Sequence, residues 1–398
     1  MSVSPFIKQY LMTAGPTPIP PQVQAAMAEP VVYHRAPAFD ALFKRVVERL
    51  PALFGTANPV MLFTASGTGA MESAVANLVA PGQPMLACAA GKFGERWIEL
   101  GKAYGAELVR YEPGWGARLE AAEVDRLLAA DPRVEMVFAT QSETSTGVVH
   151  DVQALAEAAR AHDALLVVDA ISGLGAAELR QDEWGIDVVV GGSQKALMSP
   201  PGLAMVSASE RARERAASGG GGRYYFDWAR QLAEQLKPAP ATPFTPAVSL
   251  VRALDVALDL LEQEGLEEAL GRHELLARAA RAGVRGMGLE LFGDPDERST
   301  VVTAAELPPG IEGDRVPKLL RDRCGITANG GQGRLKGRII RIAHCGYFGG
   351  FDILIALSGL EMVLRELGAD VEPGSGVGAA QQVFLEAGLG LAAPAAPA

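Results

Sequence analysis

The chain has 398 residues, 48% of them hydrophobic, which excludes a single small domain and suits a large domain with a smaller one beside it. A formal net charge of −11 with no basic run argues against nucleic acid as the main partner. Three scattered cysteines, Cys88, Cys324 and Cys345, exclude a disulfide framework or a zinc site, no apolar run reaches membrane-spanning length, and the N-terminal stretch has no signal-peptide core. A cytoplasmic protein with no membrane partner is expected.

Prolines 16, 18, 20 and 21 keep residues 11–22 out of a helix, so residues 1–22 read as an extended arm. A short helix over Gln22–Ala28 follows. His34 and Arg35 lie in a loop, where His34 is either a structural hydrogen-bonder or a functional group. From about Pro37, helical spacing of Phe39, Leu42, Phe43, Val46 and Leu50 predicts a longer helix. Val60–Thr64 reads as a strand that runs through Ser66-Gly67-Thr68-Gly69 into a helix. A strand, a Gly-rich turn and a helix start make an ordinary helix entry or, given a partner lysine, a phosphate site at unpaired backbone N–H groups.

Met85–Ala89 is a further strand, then Gly91-Lys92-Phe93-Gly94-Glu95-Arg96, then a helix from about Trp97. Phe93 could stack on a planar ring or fill a core. Glu107–Tyr111 is a strand, Glu120–Ala129 a helix, and Val134–Thr140 a buried strand opening into Gln141-Ser142-Glu143-Thr144-Ser145-Thr146-Gly147. The hydroxyls of that loop could bond a ring oxygen or serve the turn's own backbone. A helix over 151–162 leads back to the sheet. The repeated strand–helix rhythm is that of a doubly wound α/β domain.

The central stretch is residues 165–202. Two continuous apolar runs, Leu165–Val168 and Ile186–Val190, suit strands covered on both faces. The first ends at Asp169 and the second at Gly191-Gly192-Ser193-Gln194-Lys195, beyond the sheet edge where ligands of open α/β folds bind. Lys195 stands among Gly, Ser, Gln, Ala, Leu, Met and Pro, poor company for a solvated charge. A lysine amine and a carboxylate in this arrangement suit pyridoxal 5'-phosphate (PLP): the amine forms a Schiff base with the aldehyde, and the carboxylate keeps the pyridine nitrogen protonated. The plainer alternative is a turn-capping Asp169 and a surface Lys195.

Ala204–Ser207 is a strand, Ser218–Gly222 a flexible Gly-rich loop, and Thr242-Pro243-Phe244-Thr245-Pro246 a rigid turn with two hydroxyls. A helical stretch from about 247 to 284, broken at Gly265, links to a smaller α+β unit. Its expected strands are Leu289–Phe292, Val301–Ala304 and Ile339–Ala343, its helices about Arg315–Arg323 and 352–367, and Asn329–Gly333 is a loop. Arg341 lies within an apolar strand, which is costly unless it is paired with a substrate carboxylate or in a structural salt bridge. The expected division is an arm (1–22), a large domain (23–264), a small C-terminal domain (265–370) and a flexible tail (371–398).

Taken together, GPTPIP (15–20), SGTGAME (66–72), GKFGER (91–96), ETSTGV (143–148), VDAISGLG (168–175), GSQKALMSPPG (192–202), TPFTPAVSL (242–250) and RIAHCG (341–346) resemble the class V, fold type I PLP-dependent aminotransferases. The likeness is greatest to the alanine–glyoxylate and serine–glyoxylate (serine–pyruvate) branch, over about residues 15–367. The resemblance implies a mostly parallel seven-stranded sheet flanked by helices, plus a smaller C-terminal α+β domain. It implies Lys195 as Schiff-base lysine and proton shuttle, Asp169 on the pyridine nitrogen, Phe93 stacked on the ring and Thr144 at the ring oxygen. Ser66, Gly67, Thr68 and Gln194 would hold the phosphate, with Thr245, and Thr242 beside it, reaching in from the second subunit of a homodimer. Gly15, His34 and Arg341 would lie on the substrate side, with Arg341 on the carboxylate. Phe93 departs from the Trp or Tyr of many relatives. The expected reaction is ping-pong amino transfer from a small amino acid, alanine or serine, to a 2-oxo acid, glyoxylate or pyruvate. The alternatives are another class V enzyme (an aspartate- or phosphoserine-type aminotransferase, or a lyase) and a non-catalytic accessory subunit of the same fold. Against a desulfurase, Gln194 rather than His precedes the lysine.

Overall fold

In the computed structural model, residues 7–293 and 298–388 are described. A seven-stranded sheet runs in the order Val60–Phe63, Ala204–Ala208, Val188–Gly192, Leu165–Asp169, Met136–Thr140, Pro84–Cys88, Glu107–Tyr111. Every strand pair is parallel except those made by Ala204–Ala208. Alternation within the apolar runs explains the layers. Leu166 and Val168 face one core with Phe39, Phe43, Leu50 and Leu254, while Leu165 and Val167 face the other with Met71, Trp97 and Trp228. Both faces of each central strand are therefore buried, which is why the runs contain no polar residue. The C-terminal ends of Leu165–Asp169 and Val188–Gly192 bring Asp169 and the turn to Lys195 to one edge.

A second sheet orders Tyr10–Met12, Ile326–Gly330, Ile339–Ala343 and Val302–Glu306. The arm enters it as a parallel edge strand, Tyr10 opposite Ile326. Its core joins Leu276, Leu320, Ile340, Ile342, Leu357 and Leu360. Helices Val248–Glu264 and Leu266–Gly286 meet at Gly265, as the break in the pattern predicts.

The structure departs from the sequence reading in several places: the strand expected over Ile186–Val190 is Val188–Gly192, so Gly191 and Gly192 still pair within the sheet, and Ser142–Glu143 of the expected loop pairs with Val148–Val149. The helix expected from about Trp97 begins at Lys92, so Phe93 lies in its first turn. Leu289–Phe292 is not a strand: only an isolated bridge joins Leu291 to Ala305. Asn329 and Gly330, expected in a loop, end the strand Ile326–Gly330, where Asn329 faces Arg341. The flexible tail is interrupted by a helix, Ser375–Glu386, with Ala380 and Phe384 buried. Its small residues let it lie close to Leu266–Gly286: a Cβ on Gly376 would fall 2.7 Å from the Gly283 carbonyl oxygen. Its N-terminus is capped from outside, the buried Glu361 carboxylate accepting N–H bonds from Gly374, Gly376 and Val377 at 2.7–3.0 Å. The remainder of that tail, 389–398, lies outside the described residues.

Candidate active site

Lys195 follows the strand Val188–Gly192 in a loop closed by Ser193, whose hydroxyl donates to the Pro200 carbonyl at 2.6 Å. The arm closes over it: Thr17 donates from its hydroxyl to the Lys195 carbonyl (2.9 Å) and from its N–H to the Gln194 carbonyl (3.2 Å). Lys195 is 8% exposed, and its Nζ donates to the Ala14 carbonyl at 2.5 Å. The aliphatic chain lies flat on Gly15, where a Cβ would fall 2.8 Å from Cδ and nearer still to Cε and Nζ. Gly15 also has a φ of +144°, a conformation that favours glycine, so the arm's backbone can press directly on the lysine. Burial lowers the Lys195 pKa, while Cys345 and Asp169 oppose the shift. A larger share of the amine is therefore uncharged and nucleophilic at neutral pH than in water.

Asp169 is the last residue of its strand and is buried. Its Oδ1 accepts the Ile171 N–H at 2.9 Å. Desolvation raises its pKa to about 7; the Ile171 bond pulls the other way, Glu143 adds to the rise, and Arg96 and Lys195 oppose it. A carboxylate this poorly solvated calls for a cationic partner, such as a protonated ring nitrogen.

An anion cradle faces the same edge. The helix Gly67–Leu78 starts at Ser66, whose hydroxyl caps nothing. The Gly67 and Thr68 N–H groups have no acceptor among the described residues. Gly192 approaches closely, its would-be Cβ 3.4 Å from the Gly67 Cα and 3.1 Å from the Gln194 Oε1. That Gln194 oxygen is buried without a hydrogen-bond partner. Free N–H groups at a helix N-terminus, a side chain too small to obstruct, and an orphan amide fit a phosphate group.

Arg341 sits in mid-strand, 4% exposed. Its Nε donates to the Gly330 carbonyl (3.0 Å) and its Nη1 to the Thr144 carbonyl (2.8 Å). Among the described residues no carboxylate lies within ion-pair distance, so the structural salt bridge is absent. Burial lowers its pKa to about 10, which leaves it cationic at neutral pH. An oriented, buried guanidinium with no carboxylate beside it has the chemistry to hold a carboxylate in bidentate fashion. Phe93 completes the cluster, with Lys195 Nζ 5.9 Å and the Arg96 guanidinium 5.0 Å from its ring centroid.

Three expected residues stand apart in this chain. His34 and Thr245 line a surface groove with Val31, Tyr33 and Leu250, and Thr245 also borders Thr242, Thr64 and Tyr225. The Thr242 hydroxyl donates to the Phe244 carbonyl at 2.7 Å, and Tyr225 stacks on Phe244. Neither threonine nor His34 has a hydrogen bond to Lys195, Asp169 or Gln194 among the described residues.

Sequence reasoning missed Glu143, Arg96 and the carbonyl of Ala14. Glu143 left one trace: the helix at Lys92 has glycine at its cap position and no side chain of its own to serve it. Cys88 and Cys345 are unsuited to thiolate chemistry: burial pushes Cys88 up to about 12 and Cys345 to about 11.

The family model described as Aminotransferase class-V matches residues 9–336. The chain belongs to the class V aminotransferases. It is 39% identical over 381 residues to the soluble hydrogenase, small subunit, of Synechococcus sp., covering 95% of this chain and 98% of that one. It is 36% identical over 391 residues to the serine–glyoxylate aminotransferase of Methylorubrum extorquens, covering 95% and 96%. The solved structure of ureidoglycine–glyoxylate aminotransferase from Bacillus subtilis superposes with a TM-score of 0.90 at 33% identity, covering 95% and 98%. Among the described residues no helix of this class V aminotransferase is long and apolar enough to cross a membrane.

Proposed function

We propose that this aminotransferase carries PLP at Lys195 and moves the amino group of a small amino acid, alanine or serine, to glyoxylate or pyruvate. The observation that carries the reading is the buried Lys195 amine beside both the desolvated Asp169 and the unpaired Arg341. Glyoxylate as acceptor draws support from the names of the Methylorubrum and Bacillus relatives. The bound cofactor supplies an electron sink for negative charge at the substrate α-carbon.

The chain's own residues do the rest. Asp169 would hold the proton on the ring nitrogen, its carboxyl ionised by the cation beside it. The Gly67 and Thr68 N–H groups, Ser66 and Gln194 would hold the phosphate. Phe93 would back the ring and Thr144 would serve its oxygen. Arg341 fixes the substrate carboxylate, which orients the α-hydrogen toward the Lys195 amine. The Lys195 amine, free once the substrate's own amino group has replaced it at the cofactor, would take the α-proton and hold it for the carbon that gains it. One donor leaves as its keto acid before the acceptor enters, so ping-pong kinetics follow. Thr242, Thr245 and His34 act across a homodimer interface, on the active site of the other subunit, with Gly15 on the substrate side of the home site.

A second reading, an accessory subunit without transamination, is favoured by the name of the Synechococcus relative. The absorption spectrum of the purified protein separates the two. The first reading expects a band near the visible edge that fades with L-alanine or L-serine and returns with glyoxylate or pyruvate, and that is missing in Lys195→Ala. A fade with L-aspartate alone would reassign the donor and point to Arg96 as a second anion site. A colourless protein that takes up no added PLP would leave the accessory reading.

A further inference from the structure

A helix that starts with glycine at its cap leaves its first N–H groups to find acceptors elsewhere. The helix Lys92–Ala103 finds them about fifty residues away. Glu143 Oε2 accepts from both Phe93 N–H and Gly94 N–H at 2.9 Å. Ser145 Oγ accepts the Lys92 N–H at 2.9 Å and donates to Glu143 Oε1 at 2.6 Å. The Ser145 N–H also donates to Oε1, at 3.1 Å. The helix's own ladder then begins with Glu95 N–H to the Gly91 carbonyl. Every free N–H of the first turn is thus held by one turn of another segment. Gly91 is what lets that turn approach: a Cβ there would lie 2.5 Å from the Glu143 Cδ and 2.6 Å from the Ser145 Oγ.

Glu143 is 1% exposed. Its own position is fixed, because its carbonyl accepts the Thr146 and Gly147 N–H groups. The next carbonyl, that of Thr144, receives Arg341. A buried carboxylate with four donors makes charge-assisted bonds of the strong kind, in a place where no solvent can substitute for them.

We propose that Glu143 is the positioning residue for the cofactor's ring: its carboxylate sets the height and tilt of Phe93 by holding the backbone N–H of that residue. This deepens the PLP reading and rests on it. Glu143 does not touch the ring; it acts through Phe93. Its removal therefore weakens cofactor binding only while an aromatic side chain is there to be misplaced.

The test is a double-mutant cycle on apparent PLP affinity, read by tryptophan fluorescence on cofactor-stripped protein, with the circular dichroism of the coenzyme band as a second readout. Glu143→Ala should weaken PLP binding about tenfold, the size of one lost charge-assisted bond, and shrink the coenzyme dichroism. Glu143→Gln keeps one oxygen for Phe93 and Gly94 but turns an NH2 toward Ser145, and should cost about threefold. In a Phe93→Ala background both effects should fall within about twofold of nothing. If Glu143→Ala does not fold, the Gln variant carries the same cycle. Equal losses in both backgrounds, or unchanged dichroism in the single variants, would overturn the proposal while leaving the PLP reading standing. A wild-type protein that takes up no PLP would end both.

Discussion

Asp169→Asn separates what the site costs the fold from what it does for the cofactor. In the folded chain without cofactor, burial moves the Asp169 carboxyl from 3.8 to about 7. In the unfolded chain it titrates near its ordinary value. Between those limits the folded state keeps a proton that the unfolded state releases. The contribution of Asp169 to stability is therefore greatest below about pH 4, falls as pH rises to about 7, and is level above. The span of about three pH units is worth about 4 kcal/mol, at 1.36 kcal/mol per unit. About 3 kcal/mol of it falls between pH 5 and pH 8, or about 3 °C in Tm for a chain of this length. Asparagine keeps an oxygen for the Ile171 N–H and has no charge to desolvate. Thermal unfolding of cofactor-stripped wild type and Asp169→Asn at the two pH values should show the variant gaining on wild type by that amount at pH 8. With PLP added the order should reverse, since only the carboxylate holds the ring-nitrogen proton. A Tm gap that does not change with pH would refute the reasoning, because it would mean that Asp169 is already ionised in the fold.

Three further outcomes follow from the packing. Gly15→Ala places a methyl group onto the Lys195 side chain and strains the backbone, and should lower kcat at least about 100-fold with little change in Tm; steady-state kinetics on a well-folded variant check this. Arg341→Lys keeps the charge but loses the planar fork, so KM for the amino donor should rise about 10- to 100-fold while PLP affinity stays within about twofold. Phe384→Ala removes the ring that seats the helix Ser375–Glu386, and should cost about 3–5 kcal/mol in thermal unfolding, whereas a tail without a structural role would cost nothing.

The chemistry of the site was legible where it coincides with the end of a strand. Asp169 and Lys195 follow directly from two apolar runs, because a strand buried on both faces can display polar residues only where it stops, whereas the role of Gln194 came from the family resemblance. Gly67 and Thr68 are legible for a related reason, since a glycine between a strand and a helix leaves free N–H groups. Arg341 stood out as a charge in an apolar strand, but its lack of a carboxylate partner is a fact of packing. Glu143 was hidden. Its partners lie 49 and 50 residues away, and no local pattern marks a glutamate that caps a foreign helix. Glu361 caps the C-terminal helix in the same way, and that helix too was missed: its glycines and alanines suggest a tail until Gly283 is seen against Gly376.

The order of apolar and polar residues along the chain was enough to determine the parallel sheet, its buried strands and the edge at which Lys195 emerges. These depend on periodicity within a few residues, which any copy of the sequence displays. Tertiary structure alone decided how far Lys195 and Asp169 are desolvated, which carbonyls hold Arg341, and which remote carboxylate fixes Phe93. Those properties depend on contacts between segments tens to hundreds of residues apart. Their energies arise from water excluded and bonds oriented at the junction, which no single segment contains.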